Sequence, residues 1–317
     1  MEISLISPAA IQSSNGNFTT AIRWKRILQA LGHQVELSQE YDNTNCDLMI
    51  ALHAWRSAEA IQRYKSLFPN KPLIVALTGT DAYRFIHSHS QQTLNSIALA
   101  DCLVGLHQLI SYTLPITHQH KLNVIFQAST LKPLRIKKIK RNFNVCIAGH
   151  LRDEKDPLRT AYAARLLPHS SKIYISHFGK AHDKAWEGKA RLENIRNNRY
   201  QWYGEITQSL LRVKFSQAKL LVLSSHMEGG ANIISEAVMS NLPIVASNIS
   251  GTVGLLGKDY KGYYEVGNTQ QLKQLLLRCE SDLTFYQTLA KQCHARRHLF
   301  SPLQEKLAWA HLLEQLT

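Results

Sequence analysis

The chain has 317 residues, 44% of them hydrophobic, and a formal net charge of +14. That length is too great for one core, so two domains of about 150 residues are expected. No apolar run approaches the ~20 residues of a membrane span, and Met1 to Ile6 lacks a basic n-region, so a cytoplasmic protein is expected.

In the first half, Ile3 to Ile6, Val35 to Leu37, Leu48 to Leu52, Leu73 to Leu77, Leu103 to Leu106 and Val124 to Phe126 read as short buried strands. Between them, Asn17 to Leu31, Trp55 to Phe68 and Gln91 to Ala100 carry helical periodicity. Leu31-Gly32-His33 is a helix stop. Lys132 to Arg141 concentrates basic residues and reads as a solvated linker. The pattern then restarts with strands at Phe143 to Ala148, Lys172 to Phe178, Tyr200 to Tyr203, Leu220 to Leu223, Pro243 to Ser247 and Tyr263 to Val266. Helices are expected at Pro157 to Leu167, Asp183 to Arg196, Ala231 to Ser240 and through Thr269 to His298, with a last one at Pro302 to Leu316. Strands alternating with helices predict an α/β protein of two Rossmann-like, doubly wound domains facing a central cleft. The predicted organisation is residues 1–131, a linker at 132–142, a second domain at 143–299, and a terminal helix at 300–317 that crosses back to the first domain.

The charge calls for an anionic partner: nucleic acid, an anionic membrane surface or phosphate-rich small substrates. Nothing resembles a nucleic-acid module, so nucleic acid is not expected; phosphate-bearing substrates explain part of the excess. Five cysteines lie scattered without a C-x-x-C pair, which predicts buried free thiols. No D-x-D spacing occurs, the histidines are numerous but unclustered, and neither a metal nor a cofactor is expected.

The most informative stretch is Ser224 to Ala237. A buried strand passes through Gly229 and Gly230 into a helix, and the first N–H groups of a helix make a ready anion site. Glu228 and Glu236 bracket this turn. Upstream, Gly149 to Pro157 ends another strand and carries His150, Arg152 and Lys155, cations suited to the charge on a departing pyrophosphate. In the first half, the polar loop from Ser7 to Asn17 contains Gly16 and offers backbone contacts to phosphate. His53 and Arg56 follow a strand and suit an anionic acceptor. Thr78-Gly79-Thr80-Asp81 ends the next strand with hydroxyl donors and a carboxylate.

Together the second-half motifs resemble the retaining GT-B glycosyltransferases of the family-4-like group. Glu228 and Glu236 match that family's E-x7-E element, followed by EAVMSNLPIVAS. The resemblance implies that Glu236 holds the ribose hydroxyls, that Glu228 lies near the donor sugar, and that the Gly229, Gly230, Ala231 and Asn232 backbone touches sugar and phosphate. The family's Gly-Arg and downstream Lys pattern aligns with Gly149, His150 and Lys155. His150 thus stands where the family has Arg, with Arg152 available to take that role. Gly204 and Glu205 match the place where the family meets the nucleotide base.

A narrower resemblance spans nearly the whole chain. GNFTTAIRWKRILQALGH, ALHAWRSAEAI, VALTGTDAYR, AGHLRDEKDPLRTAYAARLLP, MEGGANIISEA and SGTVGLLGKDYKGYYEVGNT resemble the selenosugar synthases of selenoneine biosynthesis. This implies a metal-independent transferase that joins a UDP-sugar, such as UDP-N-acetylglucosamine or UDP-glucose, to selenophosphate. Pathway enzymes that supply selenophosphate or consume the selenosugar would be its partners. It implies catalytic roles for Arg152, Lys155 and Glu228, and an acceptor pocket of His53, Arg56, Thr78, Thr80 and Asp81. The E-x7-E element is equally compatible with an ordinary retaining GT-B enzyme acting on a hydroxyl of a sugar, lipid or glycan.

Overall fold

A computed structural model describes residues 1–8, 16–131, 133–134 and 142–316. Residues 9–15 of the phosphate loop expected from Ser7 to Asn17, and residues 132 and 135–141 of the expected basic linker, lie outside the described residues. The chain divides into two units, Met1–Ala128 with Ser301–Thr317, and Ser129–Phe300.

The first unit is built on a six-stranded sheet of β1 (Glu2–Ile6), β2 (Gln34–Ser38), β3 (Leu48–Leu52), β4 (Leu73–Leu77), β5 (Cys102–Gly105) and β6 (Leu122–Val124), in the order β2-β1-β3-β4-β5-β6. Every neighbouring pair is parallel. All residues of β3 and β4 are buried, as strands covered by helices on both faces must be. Alternate residues serve opposite faces. Met49, Ala51 and Val75 pack with Ile61, Tyr64 and Ile97. Leu48, Ile50 and Ile74 pack with Trp24, Leu28 and Trp309. The terminal helix Pro302–Glu314 sets Trp309 edge-on to Trp24, with ring centroids 4.8 Å apart. On the same helix, Glu305 is buried and accepts from Arg23 Nε, Trp24 Nε1 and the Ala128 amide, so its charge is compensated.

The second unit carries β7 (Phe143–Ala148), β8 (Ile173–Phe178), β9 (Tyr200–Trp202), β10 (Leu220–Leu223), β11 (Ile244–Ser247) and β12 (Tyr263–Tyr264), in the order β12-β11-β10-β7-β8-β9, again all parallel. Its strand order is that of a Rossmann sheet, whereas the first unit has the flavodoxin-like order. Both are doubly wound, as the alternation of strands and helices predicted. In such sheets the strand order reverses at a switch point, where loops leave in opposite directions and open a crevice. The switch lies between β1 and β3 in the first unit and between β7 and β10 in the second.

Local expectations needed correction where tertiary pairing sets the boundary. The sixth strand is Leu122–Val124 instead of Val124 to Phe126, because Leu122 pairs with Leu103 on β5. The helix expected from Trp55 begins at Ala58, after His53 has turned the chain with a φ of 74°. The helix expected from Pro157 begins at Arg159, since Asp156 adopts a left-handed conformation. Helices Gln208–Gln217 and Ser250–Leu256 were not anticipated. All five cysteines are free thiols, four of them buried. Among the described residues no helix is long and apolar enough to cross a membrane.

Candidate functional site

In the second unit, the loops after β7 and β10 flank the switch point and are laced together. Ser224 Oγ donates to the carbonyls of Lys155 and Asp156 at 3.0 and 2.7 Å, and the His226 amide donates to the Glu154 carbonyl at 2.8 Å. This lacing brings two predicted residues into contact: Lys155 Nζ lies 2.5 Å from Glu228 Oε1. Ser225 Oγ donates to the same oxygen at 2.5 Å. Among the described residues, Glu228 Oε2 has no hydrogen-bond partner. Glu228 is only 7% exposed, and its backbone is held by the helix Ser250–Leu256: a Cβ on Gly251 would lie 2.1 Å from the Glu228 carbonyl oxygen. A buried carboxylate with one oxygen neutralised and the other open is a fixed acceptor beside a cation.

The turn after β7 is braced by β8. Gly179, with φ of 151°, approaches so closely that a Cβ there would lie 1.9 Å from the Gly149 carbonyl oxygen. Fully buried His177 bonds that same carbonyl through Nε2 at 3.2 Å and the Tyr200 hydroxyl through Nδ1 at 2.8 Å. Since a carbonyl only accepts, Nε2 carries the proton and Nδ1 accepts from Tyr200. Burial lowers the His177 pKa to about 4, so the ring is neutral and the arrangement is maintained at neutral pH. His150 Nδ1 accepts the Lys180 amide at 3.1 Å, which ties this side chain to the brace. Arg152 Nε is buried and, among the described residues, has no hydrogen-bond partner; it lies 3.9 Å from Glu154 Oε2, while the side chain as a whole is 42% exposed. Of the cations expected around the diphosphate, Arg152 therefore keeps an unused donor.

The helix Asn232–Met239 follows this turn. Ala231 at its N-cap has no side-chain acceptor, and no acidic residue occupies its first turn. Other helices of the unit are capped by Asp183, Thr207, Asn268 and Asp282, each accepting an amide from the first turn. Ile234, Ser235, Ala237 and Val238 face the core, which leaves Asn232 and Glu236 one above the other on the half-exposed face. Gln208 Nε2 reaches Glu236 Oε1 at 3.5 Å. Gly229 is buried and Gly230 half-buried beside them. Gly204 and Glu205 lie apart from this cluster, after edge strand β9, two strands from β7 and so about 10 Å across the sheet. Gly204 has a φ of 73° and accepts the Gly179 amide; Glu205 is exposed.

In the first unit, the residues expected to bind an acceptor divide into scaffold and surface. Asp81 is fully buried, and its two oxygens accept the amides of Ala54, Thr78, Gly79 and Ala82. It ties the ends of β3 and β4 together through these four amides. His53 is 1% exposed. Its Nδ1 accepts the Arg56 amide at 3.2 Å, and its Nε2 lies 3.0 Å from Thr80 Oγ1. The neutral ring therefore donates to Thr80, and the Thr80 proton is directed elsewhere. Burial lowers the His53 pKa, opposed by the Asp81 charge. Arg56 is exposed and Thr78 half-buried. Gly16 begins the helix Gly16–Ala30, and among the described residues nothing lies within 4 Å of where a Cβ would stand.

Several residues in these neighbourhoods were not anticipated. Tyr83 donates to or accepts from His107 Nε2 at 2.8 Å, just beyond β5. His107 is fully buried, its Nδ1 has no hydrogen-bond partner among the described residues, and burial lowers its pKa to about 4. Trp55 stacks on Phe85 at 4.1 Å. His107 directly follows the predicted strand Leu103 to Leu106, a position that could have flagged it. Ser225, by contrast, is marked only by its contact with Glu228. Among the described residues no group of three or more His, Cys, Asp or Glu is placed to hold a metal ion.

The profile of the family described as "Glycosyl transferases group 1" matches residues 132–295. A Xenopus tropicalis protein, "Glycosyltransferase 1 domain-containing protein 1", is 25% identical over 286 residues, covering 80% of this chain and 81% of the relative. Anabaena HepE, solved in complex with UDP, superposes with a TM-score of 0.78 at 16% identity, over 99% of this chain and all of that one (100%). The sucrose-phosphate synthase of Thermosynechococcus elongatus superposes with a TM-score of 0.76 at 16% identity, over 99% and 98% of the two chains. These likenesses identify the α/β two-domain architecture as that of GT-B glycosyltransferases.

Proposed function

This chain belongs to the glycosyl transferases group 1 family, and we propose that it transfers a sugar from a UDP-sugar to selenophosphate, releasing UDP and forming a carbon–selenium bond. The observation that carries the donor half is the Lys155–Glu228 pair at the second unit's switch point, beside a helix that lacks a side-chain cap. A diphosphate at that helix start would serve as the missing cap and meet the N-terminal end of the helix dipole. Lys155 and the half-exposed guanidinium of Arg152 would stabilise the charge that develops as the sugar–phosphate bond breaks. Glu228 Oε2 faces the developing positive charge on the sugar, Glu236 holds the ribose, and Gly204 and Glu205 meet the base. The solved complexes of HepE with UDP and with UDP-glucose support a uridine nucleotide.

The acceptor half rests on the near full-length resemblance to selenosugar synthases and on the charge pattern of the first unit. His53 donates to Thr80, which leaves the Thr80 hydroxyl as a donor, and Arg56 adds an exposed cation. A hydroxyl donor and a guanidinium suit the oxygens of a phosphoryl group. The ionised selenium attacks the anomeric carbon as its bond to the UDP oxygen breaks, so no strong general base is required. Water then cleaves the selenium–phosphorus bond, releasing phosphate and the selenosugar. Neither step calls for a metal or cofactor. The reaction would be cytoplasmic and lie between an enzyme that makes selenophosphate and one that consumes the selenosugar.

The test is incubation of the pure protein with selenophosphate and a panel of UDP-sugars, read by mass spectrometry for the selenosugar and by UDP release. UDP release that depends on selenophosphate, with a selenium-containing sugar as product, is expected. UDP release only with a hydroxyl acceptor would overturn the acceptor assignment and leave the donor assignment standing.

A further inference from the structure

The helix Lys184–Arg196 is turned inside out relative to an ordinary surface helix. Its inward side carries Ala190, which is fully buried, and Glu193, which is 2% exposed and held by Arg165 Nε and Asn197 Nδ2. Its outward side carries Ile195 and Leu192, 82% and 43% exposed. At about 100° per residue, Ala185, Gly188, Leu192 and Ile195 form one outer stripe. Lys184 and Arg191 flank it on one side, Lys189 and Arg196 on the other. Among the described residues Lys184 and Arg196 have no ion-pair partner, Lys189 lies over the Trp186 ring, and Arg191 pairs with Glu187.

We propose that this helix is a docking surface for an anionic lipid bilayer, on which it lies parallel to the membrane plane. A narrow apolar stripe bordered by cations on both sides matches the boundary between acyl chains and acidic headgroups. Small residues at Ala185 and Gly188 let the helix approach that boundary closely. Two large aliphatics are too few for the core of a stable protein interface, and lysine is depleted in such interfaces. Shallow insertion with charge attraction needs no more than this. The surface also gives a use to part of the +14 charge that phosphate-bearing substrates leave unexplained.

The experiment is co-flotation of the full-length protein with vesicles of phosphatidylcholine alone or mixed with phosphatidylglycerol, at low and high salt. Binding to the anionic vesicles only, lost at high salt, is expected. Lys184→Gln with Arg196→Gln should weaken it by roughly fivefold per charge. Leu192→Ser with Ile195→Ser should weaken it at least tenfold, by about the loss of a few buried methylenes, with an unchanged melting temperature. If the double serine variant fails to fold, Ile195→Ser alone decides, since that side chain is almost wholly exposed. Equal binding to neutral vesicles, or vesicle binding unchanged in these variants, would overturn the proposal. So would absence of vesicle binding; a dimer that Ile195→Ser dissociates would then make the stripe a contact between two copies.

Discussion

Asp81 and Glu228 are both buried carboxylates just beyond the carboxyl ends of central strands, one in each unit, yet they are used in opposite ways. Asp81 spends both oxygens on four backbone amides. Glu228 gathers Lys155 and Ser225 on a single oxygen and leaves the other open. The first carboxylate is complete within the fold, because amides converge on it from two strand ends. Among the described residues, the second keeps one oxygen without a hydrogen-bond partner. Burial and charge alone do not distinguish a scaffold from a site; the number of lone pairs left over does.

The comparison is broken most decisively at Asp81. Asp81→Ala strands four amides, each costing about 1–3 kcal/mol when left unsatisfied in the interior. A loss of about 4 kcal/mol or more and a melting temperature lower by roughly 10 °C or more are expected for the first unit. A stable Asp81→Ala protein that loses only acceptor binding would reverse its assignment. Glu228→Gln should do the opposite: its amide oxygen still accepts from Ser225 and Lys155, so it destabilises less than Asp81→Ala, and it lowers kcat about 100- to 1,000-fold. Steady-state kinetics beside a thermal melt separates the two outcomes.

Acid titration sharpens the comparison at the level of whole units. His107 and His177 are held neutral, with burial lowering both pKa values from 6.5 to about 4. The unfolded chain binds more protons than the folded one between those values, so stability is fully present above about pH 6.5 and is lost as pH falls towards 4. The loss is on the order of 2–3 kcal/mol per histidine. His107→Phe should flatten the acid limb of the first unit only, as followed by denaturant melts across this range; an unchanged limb would show that His107 ionises freely. The smallest effect is expected at half-buried Glu236. Glu236→Ala should weaken UDP-sugar affinity about tenfold with little change in kcat, and calorimetry showing unchanged affinity would remove it from the ribose.

Much of this organisation is written locally in the chain. The strands Leu48–Leu52, Leu73–Leu77 and Leu220–Leu223 are unbroken apolar runs, and only a strand buried on both faces calls for that pattern. The turn from Glu228 to Glu236 was legible because glycines, carboxylates and a helix start fall within one short stretch. His177 was not legible. It sits inside β8 like any core residue, and its work is done on Gly149, which neighbours it only because β7 and β8 pair. Tyr83 and His107 were missed for the same reason, being brought together from beyond two different strands.

By itself, then, the order of residues determined two doubly wound α/β units and the short motifs that identify a group 1 glycosyltransferase. These depend on interactions between residues near one another along the chain: helical and strand periodicity, and the steric freedom of glycine. The tertiary structure alone decided which side chains meet. It joined Lys155 to Glu228, enclosed Asp81 among four amides, and turned Glu193 inward while leaving Ile195 in solvent. Each of those outcomes depends on which strands lie adjacent and on which charges find partners, and sheet order and partner charges are long-range properties that no local window of sequence contains.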